Sequence, residues 1–293
     1  MLTGSTLPSR RSCLMPEPLD PAAYTHLVGL ALAEDVGAGD VTTRAVVPSG
    51  LMGHGVFLAK APVVVAGLDV AAAVLAAVDS DVRLRRLRED GDHCAAATVI
   101  AEVTGRAASL LVAERTALNF LQYLSGIATM ARAYVEAAGR QVAVLDTRKT
   151  TPAYRMLAKY AVRCGGATNH RAGLYDEVLI KDNHIRVAGG IAEAMARVRG
   201  SGHSRPIEVE ISDLAQVDEA IGAGADIIML DNFDEAATKS AIARIAGRAR
   251  VELSGNMTLE RVRALAPLGA DMISVGALTH SAAAADISFD IRT

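Results

Sequence analysis

The stretch IEVEISDLAQVDEAIGAGADIIMLDN, residues 207–232, decides the fold. Ile207–Ile211 is an apolar run carrying two glutamates; a segment of helical length, Leu214–Ile221, separates it from a second apolar run, Ile227–Leu230. A strand–helix–strand repeat of this size predicts neighbouring parallel strands. The rhythm extends in both directions. Val142–Leu145 and Val178–Lys181 lie upstream, Val251–Leu253 and Met272–Val275 downstream, with helical stretches Ile191–Val198, Glu235–Ile245 and Leu259–Leu265 between them. Six such strands in succession favour closure into an α/β barrel over an open sheet, and six rather than eight predict an incomplete TIM-like parallel barrel.

The first half reads differently. Asp20 can cap a helix that carries Tyr24, Leu27, Leu30 and Leu32 and ends near Gly37. Strand-like runs follow at Gly53–Ala59, Val63–Ala66, Val82–Leu87 and Thr98–Val103, with a helix at Val70–Val78 and two helices at Arg106–Leu124 and Ile127–Ala138. This predicts a separate α+β sandwich. The expected division is a flexible tail over 1–18, a sandwich domain over 19–125, a barrel domain over 126–280, and a C-terminal segment, 281–293, that returns to the first domain.

Composition sets limits on the whole. The 293 residues are 51% hydrophobic and 22% charged, with 3% aromatics, no Trp and a net charge of -3. Such a chain has a large aliphatic core and no global nucleic-acid footprint. Cys13, Cys94 and Cys164 are odd in number and widely spaced, which fits a reducing cytoplasm rather than a disulfide framework. Ala107–Ala131 is long enough to cross a bilayer but holds Glu114, Arg115, Asn119 and Gln122, so it reads as buried or interfacial helix. No apolar stretch follows Arg10 and Arg11, so a secretory signal is not expected.

Polar groups or small turn residues collect at the carboxyl end of every predicted barrel strand, where barrel active sites are built. They are Asp146-Thr147-Arg148-Lys149, Lys181-Asp182-Asn183-His184, Glu208 with Glu210, Asp231-Asn232, Ser254-Gly255-Asn256 and Val275-Gly276-Ala277. From Arg148 to His184, seven Lys/Arg face three acids, a local +4 inside a negative protein. Arg155, Lys159 and Arg163 have the spacing of one solvated helix face. Arg148, Lys149 and Lys181, at strand ends, instead predict a polyanionic ligand. The small residues after the last two strands predict a phosphate cradle. Glu210 and Asp231 can hold ribose hydroxyls or Mg²⁺, or pair with the nearby cations. Zinc is not expected, since His170 and His184 lie on different elements and no Cys pair supports them. No GxxxxGK[ST] loop is present, and Gly37-Ala38-Gly39 lacks the context of a dinucleotide fingerprint.

In order along the chain, Glu34-Asp35, Gly39–Thr43, Glu114–Asn119, Thr147–Pro152, Lys159–Val162, His170–Leu174, Leu179–His184, Glu208–Glu210, Met229–Asn232, Glu252–Asn256 and Ile273–Ser281 resemble the quinolinate phosphoribosyltransferase family. The resemblance covers about residue 20 to the C-terminus. It implies the type II phosphoribosyltransferase fold and a reaction of de novo NAD synthesis. Quinolinate and phosphoribosyl pyrophosphate (PRPP) give nicotinate mononucleotide, pyrophosphate and carbon dioxide with Mg²⁺. It further implies a homodimer, possible in a higher oligomer, whose barrel site the partner's N-terminal domain completes. By motif, Arg148, Lys149, His170, Arg171 and Lys181 are expected to bind the quinolinate carboxylates beside Thr147, and Arg115 to reach them from the other subunit. The alternative for Arg115 is an intrahelical or interfacial pair with Glu114 or another acid. Glu210 and Asp231 are expected at the ribose and Mg²⁺, and Ser254, Gly255, Asn256, Val275, Gly276, Ala277 and His280 around the 5′-phosphate. Lys149, Lys181, Glu210 and Asp231 make the expected catalytic set, the lysines as positioners rather than covalent catalysts.

The chain departs from the family pattern at Ala153 and at Ala167, which ends Cys164-Gly165-Gly166-Ala167 where three glycines are usual. A positive φ at Ala167 would strain it by about 1 kcal/mol. Three other readings compete. They are a paralogous transferase associated with molybdenum-uptake genes, a barrel aldolase with Lys181 as a Schiff-base lysine, and a non-catalytic binder of a phosphorylated metabolite. The complete Thr147–Pro152 motif and the crowding of cations with a Glu/Asp pair favour the quinolinate enzyme.

Overall fold

The computed structural model describes residues 17–139 and 141–292. Most of the tail expected over 1–18, and Cys13 with it, lies outside the described residues. Asp20 accepts from the Ala22 amide and starts a short 3-10 turn, Pro21–Ala23, which leads into α1, Thr25–Val36. Gly37, at φ 50°, ends α1, and Asp40 then caps α2, Val41–Val46, by accepting from the Thr42 and Thr43 amides at 2.9 Å. The Gly37–Thr43 stretch is therefore a helix stop and restart.

A four-stranded antiparallel sheet forms the first layer. Its strands are β1, Met52–Ala59, with β3, Arg83–Arg86, and β5, Val99–Arg106; two short strands, β2 (Val63–Val64) and β4 (His93–Cys94), pair separately. β1 alternates between inward and outward residues, burying Gly53, Gly55, Phe57 and Ala59, as a half-buried strand should. Helix α3, Leu68–Val78, packs against α4, Ala107–Ala138.

The two helices expected on either side of Ser125-Gly126 are one. α4 runs unbroken for 32 residues, about 48 Å at 1.5 Å per residue. Ser125, a residue that read as a break, sits buried and donates to Ala66 O while accepting from Ala66 N at 3.0 Å. At Gly126, a Cβ would stand 2.0 Å from Ala283 O. The pair is a contact surface for two other segments rather than a helix end. The 125/126 boundary falls inside this helix, which touches both halves of the molecule. Among the described residues, no helix is long and apolar enough to cross a membrane.

The second half is a six-stranded, all-parallel sheet. It contains β6 (Ala143–Leu145), β7 (Val178–Ile180), β8 (Ile207–Ile211), β9 (Ile227–Asp231), β10 (Arg250–Ser254) and β11 (Met272–Ser274), in the order β6-β11-β10-β9-β8-β7. Helices α5 (Arg155–Cys164), α6 (Asp182–Ala188), α7 (Ile191–Gly200), α8 (Leu214–Gly222), α9 (Glu235–Ile245), α10 (Leu259–Leu265) and α11 (Ala277–His280) follow or join them. Asp213, Asp234 and Thr258 cap α8, α9 and α10 with side-chain oxygens. This is the expected incomplete TIM-like barrel. Its edge strands, β6 and β7, share no ladder; Thr168 makes an isolated parallel bridge to Leu145 and lies along β6. Beyond the barrel, Ile287–Arg292 forms β12 and pairs antiparallel with β1, completing the first sheet.

Candidate active site

Register places the site. Glu210 pairs with Met229, Glu252 with Met229 and Met272, and Ser254 with Asp231, so alternate residues of β8–β11 share one face. That face is acidic low down and opens at the carboxyl ends on Glu210, Asp231 and Ser254. Lys181, which follows β7, forms a salt bridge with Glu210, so the pairing considered for this carboxylate is realised. Asp231 accepts from Asn232 Nδ2 at 2.8 Å, and Asn232 Oδ1 accepts from Asn256 Nδ2 at 3.1 Å.

Gly255 sits at φ 94°, and a Cβ there would stand 2.2 Å from Asn232 Oδ1; only glycine lets these two loops meet. Gly276 precedes α11 and lies against Lys149 Cδ and His280 Nε2, each within 3.4 Å of where a side chain would begin. Thr279 Oγ1 donates to Lys149 O at 2.7 Å, tying α11 to the loop after β6. Gly276, Ala277, Lys149 and His280 are thus brought together beside the buried Val275, and Ser254–Asn256 lie at the end of the neighbouring strand, β10.

In the loop after β6, Thr147 Oγ1 accepts from the Lys149 amide, and Arg148 is half-buried with its Nε unpartnered. Arg171 is 7% exposed, and its Nη1 donates to Glu177 O at 3.3 Å. Burial and the nearby Arg148 guanidinium hold Arg171 below its ordinary pKa. Neither arginine has a salt bridge among the described residues. Glu208, Asp176 and Glu177 act on Arg171 from beyond salt-bridge distance, and two neighbouring guanidiniums without a salt bridge remain available to an anion.

His170 goes deeper than the sequence implied. Its ring lies within 3.2 Å of Glu208 Oε2, 3.6 Å of Glu252 Oε1 and 3.3 Å of Glu177 Oε2. Burial alone would lower its pKa; the Glu208 hydrogen bond and the charges of Glu252, Glu208 and Glu177 outweigh it and raise the value. The Arg171 amide donates to Nδ1 at 2.7 Å, which leaves the neutral ring's proton on Nε2, toward Glu208 and Glu252. Protonating Nδ1 would turn it toward Glu177. Glu252 is pushed up to about 8 by burial and by Glu208, and it accepts from the Ser274 hydroxyl.

His170, Glu208 and Glu252 are the one group of potential metal ligands among the described residues, on elements far apart in sequence. The signal for it was two glutamates inside otherwise apolar strands. Arg115, on α4, is exposed and has no salt bridge among the described residues, so the Glu114 pairing is not formed. His184 caps its own helix by accepting from the Lys181 amide. Of the two departures from the family pattern, Ala153 has the positive φ, 65°; in the Cys164–Ala167 run Gly166 takes the positive φ, 88°, and Ala167 does not.

The solvated face expected for Arg155, Lys159 and Arg163 is not there. Lys159 is 3% exposed and donates to Asp146 Oδ1 at 2.5 Å, and Arg155 and Arg163 are half-buried with hydrogen-bond partners. The loops on either side fold over α5 and take its cations as donors.

The same architecture and site-bearing segments recur in known proteins. The model of the quinolinate phosphoribosyl transferase C-terminal domain matches residues 127–290, and that of the N-terminal domain residues 40–125. The chain belongs to the quinolinate phosphoribosyltransferase family. It is 43% identical over 260 residues to the probable carboxylating nicotinate-nucleotide pyrophosphorylase of Bacillus subtilis, covering 88% of this chain and 90% of that one. Identity to the carboxylating nicotinate-nucleotide pyrophosphorylase of Mycobacterium leprae is 42% over 269 residues, covering 89% and 94%. The nicotinate-nucleotide pyrophosphorylase structure from Francisella tularensis superposes with a TM-score of 0.91 at 38% identity, covering 96% of this chain and all of that one.

Proposed function

We propose that this chain transfers the phosphoribosyl group of PRPP to quinolinate with loss of carbon dioxide, giving nicotinate mononucleotide and pyrophosphate, a step of de novo NAD synthesis. The observation that carries this reading is that Arg148 and Arg171, neighbouring guanidiniums at least half-buried in the barrel, are in no salt bridge among the described residues. The Glu210–Asp231 pair and the glycine loops stand at the carboxyl ends of the same sheet. A dicarboxylate on the arginines and a phosphorylated ribose on these strand ends satisfy both. Relatives covering most of the chain carry the name of this enzyme.

Glu210 and Asp231 fit Mg²⁺, which takes one or two carboxylates together with substrate phosphates; the bound ion supplies charge neutralisation for the departing pyrophosphate. Glu210 is held in place by Lys181, and Asp231 by Asn232. The C1–oxygen bond of the ribose breaks as pyrophosphate leaves, and the pyridine nitrogen donates its free lone pair to C1, so no general base is needed. The adjacent carboxylate then departs as carbon dioxide, its bonding electrons stay on the ring carbon beside the cationic nitrogen, and that carbon takes up a proton. Arg148, Lys149 and Arg171 fix the carboxylates and hence the angle of the nitrogen. The lysines act by position and charge.

The active form is a cytoplasmic homodimer in which Arg115 reaches the partner's site. Arg115 stands exposed on α4, and the exposed Leu174, Tyr175 and Val187 give a second copy apolar surface to bury. Cys94 and Cys164 are free and buried, in keeping with a reducing compartment.

The test is an assay with Mg²⁺ and PRPP, offering quinolinate and nicotinate in parallel and following mononucleotide and carbon dioxide. Product is expected from quinolinate alone. Arg171→Met is expected to lower kcat/KM for quinolinate by roughly 30-fold to several thousandfold, the effect of about 2–5 kcal/mol. A folded wild-type dimer that turns over neither acid would overturn the assignment.

A further inference from the structure

We infer that α5 is the positioning element of the acid-binding half of the site, with Arg155, Lys159 and Arg163 as positioning residues that fix the spacing between Arg148 and the His170–Arg171 segment. This rests on the function proposed above. The three cations recur every four residues and so form a single stripe on the helix. None is free to meet a ligand, because each is used on the protein itself.

Arg155 spans the two loops. Its guanidinium donates to Arg148 O at 3.3 Å and Thr150 Oγ1 at 3.2 Å on one side, and to Ala172 O at 3.1 Å on the other. Lys159 does the same a turn further on, donating to Asp146 Oδ1 at 2.5 Å and to His170 O at 2.7 Å. Asp146, fully buried, also accepts from the His170 amide and from Asn169 Nδ2, both at 2.8 Å. Arg163 completes the stripe by donating to Asn169 Oδ1 at 2.7 Å.

The location explains the need. The loop after β6 and the segment 168–171 flank the one place where the barrel has no ladder, since β6 and β7 do not pair. Elsewhere strand hydrogen bonds set the distance between site residues; here one bridge at Thr168 is followed by side-chain contacts alone. A dicarboxylate held by residues from both sides of that gap is sensitive to its width. PRPP, held by the ends of β8–β11, is not.

Two variants test this. Arg155→Gln removes the outer span and leaves the buried Asp146–Lys159 pair intact, so it is expected to fold; Asp146→Asn with Lys159→Met removes both buried charges together. Quinolinate binding is measured by calorimetry, and KM for each substrate by steady-state kinetics. Both variants are expected to weaken quinolinate binding and raise its KM by roughly tenfold to a hundredfold, the scale of a misplaced binding group. KM for PRPP should stay within about twofold of wild type. Arg155→Lys, which keeps a donor, should recover part of the loss. Quinolinate binding unchanged in folded Arg155→Gln, or equal rises in both KM values, would overturn the inference while leaving the proposed function standing. Wild-type protein that does not bind quinolinate would remove both.

Discussion

Glu210, Asp231 and Ser254 occupy the ends of strands that hydrogen-bond to one another in register, whereas Arg148, His170 and Arg171 sit on segments bordering an unpaired edge. The first group is placed by the backbone. The second is placed by side chains, chiefly the Asp146–Lys159 pair and the arginines of α5. Substitutions in the two regions should therefore fail differently: in the first they disturb local geometry, and in the second they remove the support itself.

The largest effect is expected from Lys159→Met alone, which strands the Asp146 carboxylate in the barrel. Leaving one member of a buried pair costs about 3–5 kcal/mol, measurable by urea unfolding. A loss below about 1 kcal/mol, the range of exposed pairs, would erase the contrast between the regions. Next comes the pH dependence set by Glu252. Its carboxyl rises from an ordinary 4.5 to about 8 in the folded chain. Between those values the folded state holds a proton that the unfolded state has released, so stability falls as pH rises. The slope from this group is up to about 1.4 kcal/mol per pH unit. Glu252→Gln should flatten that part of the stability curve; an unchanged slope would show that Glu252 is ionised in the fold.

Gly255→Ala probes the strand-end region. It forces an alanine to φ 94° and its Cβ against Asn232, for about 1–3 kcal/mol, and it should raise KM for PRPP rather than for quinolinate. The smallest effect belongs to Ala153→Gly. Relief of the φ 65° backbone should stabilise the protein by about 0.5–1 kcal/mol in thermal unfolding.

The same contrast governs what the sequence reveals. Strand-end residues were legible because a parallel sheet turns chain position directly into place: Glu210, Asp231 and Ser254 stand at the ends of recognisable apolar runs. Lys159 was not, because i, i+4 spacing defines a stripe without saying whether water or a buried aspartate faces it. The His170–Glu208–Glu252 group was invisible for a related reason, since it depends on how far the 168–171 segment dips into the barrel. Gly126 and Ser125 misled as a helix break because their real partners, Ala283 and Ala66, are distant in sequence. The left-handed residue at Ala153 required backbone angles that residue identity alone does not supply.

β12 ties assembly order to domain order. The edge strand beside β1 is made roughly 230 residues after it, so a nascent chain finishes every barrel strand while its first sheet still lacks a neighbour. Local contacts can settle in α3 and α4 early, yet the first-made domain is the last to be closed. During synthesis β1 is an open, unpaired edge, the kind of surface on which nascent chains stick to one another.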